Sequence, residues 1–161
     1  TSSKFFSSKK FNFPITNAAL KINKLMPNTS IEMIKDTVKS MANKKILIMG
    51  VSYKKDVKDI RFSPSLYLYK YLKTRNAKVT LHDPLAYNSK DISILIEKKI
   101  PKFKNFNIVV FCVDHSCYKD IAFKKFSKKP FYFDLNSVLN LSQKKFLRKN
   151  NYKLKVLGDH P

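Results

Sequence analysis

The sequence predicts an α/β fold: a parallel sheet of about five strands with helices on both faces, preceded by a long helix that is kinked or broken. Three observations carry this prediction. Short apolar runs at 45–49, 78–82, 107–113, 131–134 and 152–157 alternate with amphipathic stretches of helical period. Upstream of them, apolar residues recur at helical spacing from Ile15 to Met41. Finally, 43% hydrophobic and 13% aromatic content over 161 residues is enough to build a real core.

Residues 1–14, rich in Ser, Lys and Phe and ending at Pro14, read as a truncated lead-in. The region 15–43 reads as helix, with Ile15, Ala18, Ala19, Ile22, Leu25 and Met26 on one face. Pro27 interrupts it, Thr29-Ser-Ile-Glu32 reads as a capping box, and Ile31, Ile34, Val38 and Met41 resume the stripe. Such a face needs cover, either from the chain's own core or from a second copy. Residues 44–161 form the α/β domain, with helices expected at 64–74, 89–99, 117–126 and 141–149. Ser63-Pro64 supplies a serine cap and a first-turn proline for the first of these. Asn76, just before the 78–82 strand, stands where a left-handed residue is wanted.

The formal charge of +22 raises the question of a nucleic-acid or anionic-membrane partner. Only three of the 33 basic residues are arginine (Arg61, Arg75, Arg148), whereas phosphate and base readers favour its bidentate fork. The lysines are also spread along the whole chain, and abundant Lys, Asn, Ile and Phe with scarce Gly is what AT-rich coding DNA would give. A nucleic-acid partner is disfavoured on these grounds. No apolar run approaches a membrane span of roughly 18 residues and the first residues lack a signal-peptide core, so a cytoplasmic location is expected and no membrane partner. Cys112 and Cys117 lack metal or disulfide spacing; Cys112, inside an apolar strand, reads as a buried small hydrophobe. His82, His115 and His160 show no metal spacing either, though His115 follows Asp114 at a strand's carboxyl end, where ligands gather.

With two glycines in the chain there is no G-x-G-x-x-G and no Walker A motif. The glycine that matters is Gly50, at the corner between the first strand and the polar stretch Val51 to Pro64, where backbone must turn tightly or approach a ligand. That stretch holds Tyr53, Lys54, Asp56, Asp59, Arg61 and Ser63 and runs into a helix N-terminus. Backbone N–H groups, a helix dipole and the cations Lys54 and Arg61 suit an anionic group such as a diphosphate, with Asp56 and Asp59 orienting the cations.

The pattern Gly50, Tyr53-Lys54, Asp59-Ile-Arg61, Ser63-Pro64 resembles the C-terminal, UDP-binding domain of the UDP-glucose/GDP-mannose dehydrogenase family. The likeness continues through Ala77-Lys-Val-Thr-Leu-His-Asp83-Pro84, Asn107-Ile-Val-Val-Phe-Cys-Val-Asp-His115 and Phe133-Asp134; upstream, Ala18 to Pro27 is similar to the start of the family's central helix. The resemblance implies a Rossmann-like domain at 44–161 and a homodimer built through residues 15–42. It implies oxidation of a UDP-sugar (UDP-glucose or a UDP-N-acetylhexosamine) to the uronic acid with NAD. Tyr53 and Lys54 would contact the nucleotide sugar, Arg61 would reach the NAD side of the cleft, and Gly50, Asp59 and Ser63 would support the loop.

Two departures stand out. The family commonly has Asp-x-Arg where this chain reads Asp134-Leu-Asn136, which removes a charge-assisted contact worth about 1.5–3 kcal/mol. The family's NAD-binding domain and its nucleophilic cysteine also fall outside residues 1–161, and neither Cys112 nor Cys117 lies in the family's cysteine motif. The chain alone is expected to be inactive, with no catalytic residue and no NAD bound by this domain. The alternatives are a stand-alone, non-catalytic UDP-binding or dimerisation module, and, less favoured, a basic nucleic-acid binder.

Overall fold

A computed structural model describes residues 28–88 and 94–158. Six strands make one sheet: β1 (Lys45–Met49), β2 (Lys78–His82), β3 (Ile96–Glu97), β4 (Ile108–Phe111), β5 (Phe131–Asp134) and β6 (Leu154–Val156). Their spatial order is β3-β2-β1-β4-β5-β6 and every pair is parallel, the doubly wound Rossmann-like arrangement. The helices are α1 (residues 28–37), α2 (Pro64–Thr74) and α3 (Leu141–Lys149).

Side chains alternate across the sheet, and each face has its own core. Ile46, Ile48, Ile108, Val110 and Phe133 point to one face, where they meet Ile31, Ile34 and Met41 of the α1 region and Leu68 and Leu72 of α2. Leu47, Met49, Val109, Phe111 and Tyr132 point to the other, against Phe103, Tyr118, Tyr152 and Leu147 of α3. The buried part of the α1 stripe is thus used within the chain, Ile34 being 1% exposed. The 15–27 part of the expected helix lies outside the described residues.

Ser63 caps α2 by accepting the Ser65 N–H at 3.2 Å, with Pro64 in the first turn, as its sequence predicts. Asn76 is left-handed at φ 57°, also as predicted. The expected capping box at Thr29–Glu32 is not a cap. Residue 28 is already helical, so Thr29 lies inside the helix, and Glu32 instead takes the Lys35 ammonium at 3.0 Å.

The sheet has one strand more than expected because the predicted helix at 89–99 does not extend through its second half. Ile96 is buried and Leu95 and Glu97 are exposed, an alternation that seats Ile96–Glu97 beside Leu81–His82 as β3; residues 89–93 lie outside the described set. The predicted helix at 117–126 is also corrected: it reduces to a 3₁₀ stretch, Ser116–Asp120. Gln143 of α3 donates to the Tyr118, Lys119 and Ile121 carbonyls at 2.9, 3.2 and 3.0 Å, so those acceptors need no further helical turn. Beyond it, Tyr152 holds the backbone of Lys124 and Phe126 in place through its hydroxyl, at 3.0 and 2.7 Å.

Candidate functional site

The loops leaving β1, β2 and β4 meet at the carboxyl edge of the sheet, where strand order reverses between β1 and β4. Gly50 makes that meeting possible. At φ +91° its N–H donates to the His82 carbonyl at 2.9 Å, and a β-carbon there would lie 2.6 Å from Val113 Cβ. The tight turn that its sequence position suggests is present, and the chain segment after β4 approaches closely at Gly50.

Behind Gly50 the organising group is Asp83, fully buried at the end of β2. Its Oδ2 accepts from the Val51 N–H (2.8 Å), the Ser52 N–H (2.8 Å), the Ser52 hydroxyl (2.9 Å) and His115 Nε2 (3.0 Å). Its Oδ1 accepts from the Leu85 and Ala86 N–H groups, both at 2.9 Å, closing the turn at Pro84. Burial pushes this carboxyl up, but the bonds from His115, Ala86, Leu85 and Val51 more than offset it and hold the group well below the usual carboxylate range.

His115 is fully buried and faces two ways. Its Nε2 is on Asp83, and its Nδ1 accepts the Asp56 backbone N–H at 3.1 Å. A backbone N–H can only donate, so the ring is the tautomer with its proton on Nε2. Asp56 returns the contact, accepting the Ser116 N–H at 2.9 Å and the Ser116 hydroxyl at 2.5 Å. Those two Ser116 bonds pull the Asp56 carboxyl below its ordinary value. Asp56 therefore fastens its own loop to the turn after β4, and the expectation that it orients a cation is replaced.

Asp59 does orient a cation. Arg61 Nη2 and Nε reach its two oxygens at 2.7 and 2.9 Å, and its backbone N–H adds a third bond at 2.9 Å. Those bonds from Arg61 draw the Asp59 carboxyl down to about 2. Tyr53 and Lys54 sit on the exposed run 53–58, the Lys54 ammonium 5.6 Å from the Tyr53 ring centroid. Ser63 is buried under α2, and Phe62, at φ 58°, is 96% exposed between it and Arg61.

The sequence-predicted residues thus fall along one loop: Tyr53 and Lys54 at its exposed tip, the Asp59–Arg61 fork at its return, and Gly50 and Ser63 at its two ends. Sequence reasoning passed over Asp83 and Ser52, and it did not foresee what His115 does. An Asp-Pro directly after a strand was the available signal for Asp83, because such a carboxylate closes an Asx-type turn. Asn136 is exposed after β5; its neighbour Asp134 is buried and accepts the Val138 and Leu139 N–H groups at 2.7 and 3.0 Å, which shapes that turn. Two hollows lie at the opposite, amino edge of the sheet, among Lys44, Asn107, Phe131 and Lys153 and among Lys45, Lys78 and Asn105.

A family model for the "UDP-glucose/GDP-mannose dehydrogenase family, UDP binding domain" matches residues 47–141, which include every loop of this edge. Among curated relatives, UDP-N-acetyl-D-mannosamine dehydrogenase of Methanococcus aeolicus is 28% identical over 96% of this chain and 36% of its own length. UDP-glucose 6-dehydrogenase of Rickettsia conorii is 25% identical over 78% of this chain and 32% of its own. Of solved structures, the NDP-N-acetyl-D-galactosaminuronic acid dehydrogenase of Methanosarcina mazei superposes with a TM-score of 0.73 at 21% identity, over 94% of this chain and 34% of its own. This chain therefore spans about a third of the length of these proteins, and at that identity the last of them speaks to the fold alone. With its match running from β1 to the start of α3, the chain belongs to the UDP-glucose/GDP-mannose dehydrogenase family and carries that family's UDP binding domain.

Proposed function

We infer that this chain is the UDP-sugar-binding part of a NAD-dependent nucleotide-sugar 6-dehydrogenase, acting on UDP-glucose or a UDP-N-acetylhexosamine. The observation that carries the reading is the placement of Tyr53 and Lys54 on an exposed loop inside the matched segment 47–141. Lys54 supplies a mobile positive charge for a diphosphate or for the sugar beside it, and Tyr53 an apolar face. The same loop runs on into the N-terminus of α2, which favours an anion there. An exposed loop of this kind suits a ligand that a second domain covers from the other side.

NAD does not fit the residues described. The glycine-rich cradle it needs is absent from the sequence, and Gly50 is packed against Val113. This domain therefore contributes binding and orientation, with Arg61 presented toward the cofactor side by Asp59. Neither cysteine has the character of a nucleophile: burial pushes the Cys112 thiol up to about 12 and raises that of Cys117 too. A second reading is a non-catalytic UDP-binding or dimerisation module. In both readings residues 15–42 would join two copies, and the protein would act in the cytoplasm.

Titrating UDP into the chain tests the site. Lys54→Ala should weaken binding about tenfold or more while leaving stability within about 0.5 kcal/mol. Equal binding by the variant would sink the assignment of Lys54, and no binding by the parent chain would sink both readings. NADH formation from a UDP-sugar, by the product of the complete reading frame, separates the enzyme from the module.

A further inference from the structure

Residues 53–58 are exposed without a break, so no buried side chain anchors the part of the loop that holds Tyr53 and Lys54. Ser52 before it and Ile60 after it are buried. Between those ends the run is fastened at two points: the Tyr53 N–H donates to the Asp59 carbonyl at 2.6 Å, and at the tip Asp56 has its N–H held by His115 Nδ1 and its carboxylate held by Ser116. His115 is in turn fixed from behind by Asp83, the carboxylate that also takes the Val51 and Ser52 N–H groups at the root of the same loop. One buried carboxylate thereby sets the loop's root directly and its tip through an imidazole.

We propose that His115 is a positioning residue for nucleotide-sugar binding, which it serves as a two-ended spacer between Asp83 and the Asp56 backbone without touching the ligand. This rests on the reading of Tyr53 and Lys54 as ligand contacts. The spacer needs a donor at one end and an acceptor at the other, which the Nε2-protonated ring provides. The packing that keeps it in place is aromatic: Tyr118 stands edge-on to the ring at 5.4 Å between centroids. Asp56 is left-handed at φ 52°, a conformation that a non-glycine residue holds at a cost, and the bonds to His115 and Ser116 offset that cost. Without the spacer, Asp56 keeps only its Ser116 bonds to hold this conformation, and Tyr53 and Lys54 sample other positions.

The test compares three forms of the chain. His115→Phe keeps the ring's bulk and removes both polar ends; His115→Gln restores a donor and an acceptor on one planar group. Two readouts are taken, amide hydrogen exchange across residues 53–58 and the UDP dissociation constant. His115→Phe should speed exchange at Asp56 and weaken UDP about tenfold, and His115→Gln should recover most of both. A core defect alone would not be rescued by glutamine. Unchanged exchange at Asp56 in His115→Phe overturns the spacer. So does unchanged UDP affinity. If the parent chain does not bind UDP, the functional reading fails, and the exchange data still decide whether His115 holds the loop. Should His115→Phe fail to fold, His115→Asn takes its place, a shorter amide that cannot span Asp83 and the Asp56 N–H together; it should speed exchange at Asp56 and weaken UDP several-fold, and wild-type exchange or wild-type affinity there overturns the proposal.

Discussion

Gly50 and Val113 touch at the point where strand order reverses: a β-carbon on Gly50 would lie 2.6 Å from Val113 Cβ and 2.8 Å from the Val113 nitrogen. These residues follow the two central strands, β1 and β4, so their contact fixes how the two crossovers leave the sheet. In a chain with one other glycine, Gly158, retention here has a steric cause.

Replacing Gly50 by alanine should therefore cost stability on two counts. The side chain meets a β-carbon and backbone atoms, which cannot swing away as a flexible tip can, and φ +91° is a conformation that L residues rarely adopt. Overpacking at about 1–3 kcal/mol and backbone strain at about 1–2 kcal/mol give an expected loss of about 2–5 kcal/mol. Urea unfolding is the measurement, with the midpoint falling and the slope unchanged. A loss below about 1 kcal/mol would mean that the two crossovers separate easily.

His82 gives the fold an acid-side weakness. Its ring is buried, with Nδ1 accepting the Tyr118 hydroxyl at 2.9 Å and Nε2 donating to the Lys98 carbonyl at 3.2 Å, so both nitrogens are used by the neutral form. Burial holds its pKa below the ordinary histidine value. The unfolded chain therefore takes up the proton first. Stability from this group is complete above about pH 6.5 and is lost as pH falls toward the folded value. His82→Gln should flatten the stability-versus-pH curve just below about pH 6.5; an unchanged slope would assign it to other groups.

Much of this fold is legible in the sequence because β1, β2, β5, α2 and α3 are local patterns with clear ends. Ser63-Pro64 starts α2 and Asn76 turns the chain into β2, each for a reason contained in two or three residues. The misread segments are those decided from elsewhere. Gln143 satisfies the carbonyls that end the 3₁₀ stretch, and β2 recruits Ile96–Glu97 into the sheet. The site divides in the same way. Tyr53, Lys54 and the Asp59–Arg61 pair are close in sequence and could be seen together. Asp83 and His115 lie 31 and 59 residues or more from the loop positions they hold, and no periodicity reports such a link.

The Asp59–Arg61 fork yields the last prediction. Arg61 is largely exposed, so its ordered geometry comes from Asp59 two residues earlier, with the backbone N–H of residue 61 completing the ring of bonds. Arg61→Gln removes the charged fork and leaves that N–H. The Asp59 carboxyl should then titrate above about 2 yet below its ordinary value, because the side-chain fork, the larger cause, is gone and the backbone bond remains. Carbon-detected NMR of the carboxyl gives the answer directly. The sign for stability follows: Asp59 favours the fold above its unfolded value of about 3.9 and loses that effect as pH falls toward about 2, a window that narrows in the variant. The pair is solvent-exposed, so stability at neutral pH should hardly move. An Asp59 that still titrates near about 2 in Arg61→Gln would place the cause in the backbone bond alone, and the loop would then present Arg61 to its surroundings without Asp59 directing it.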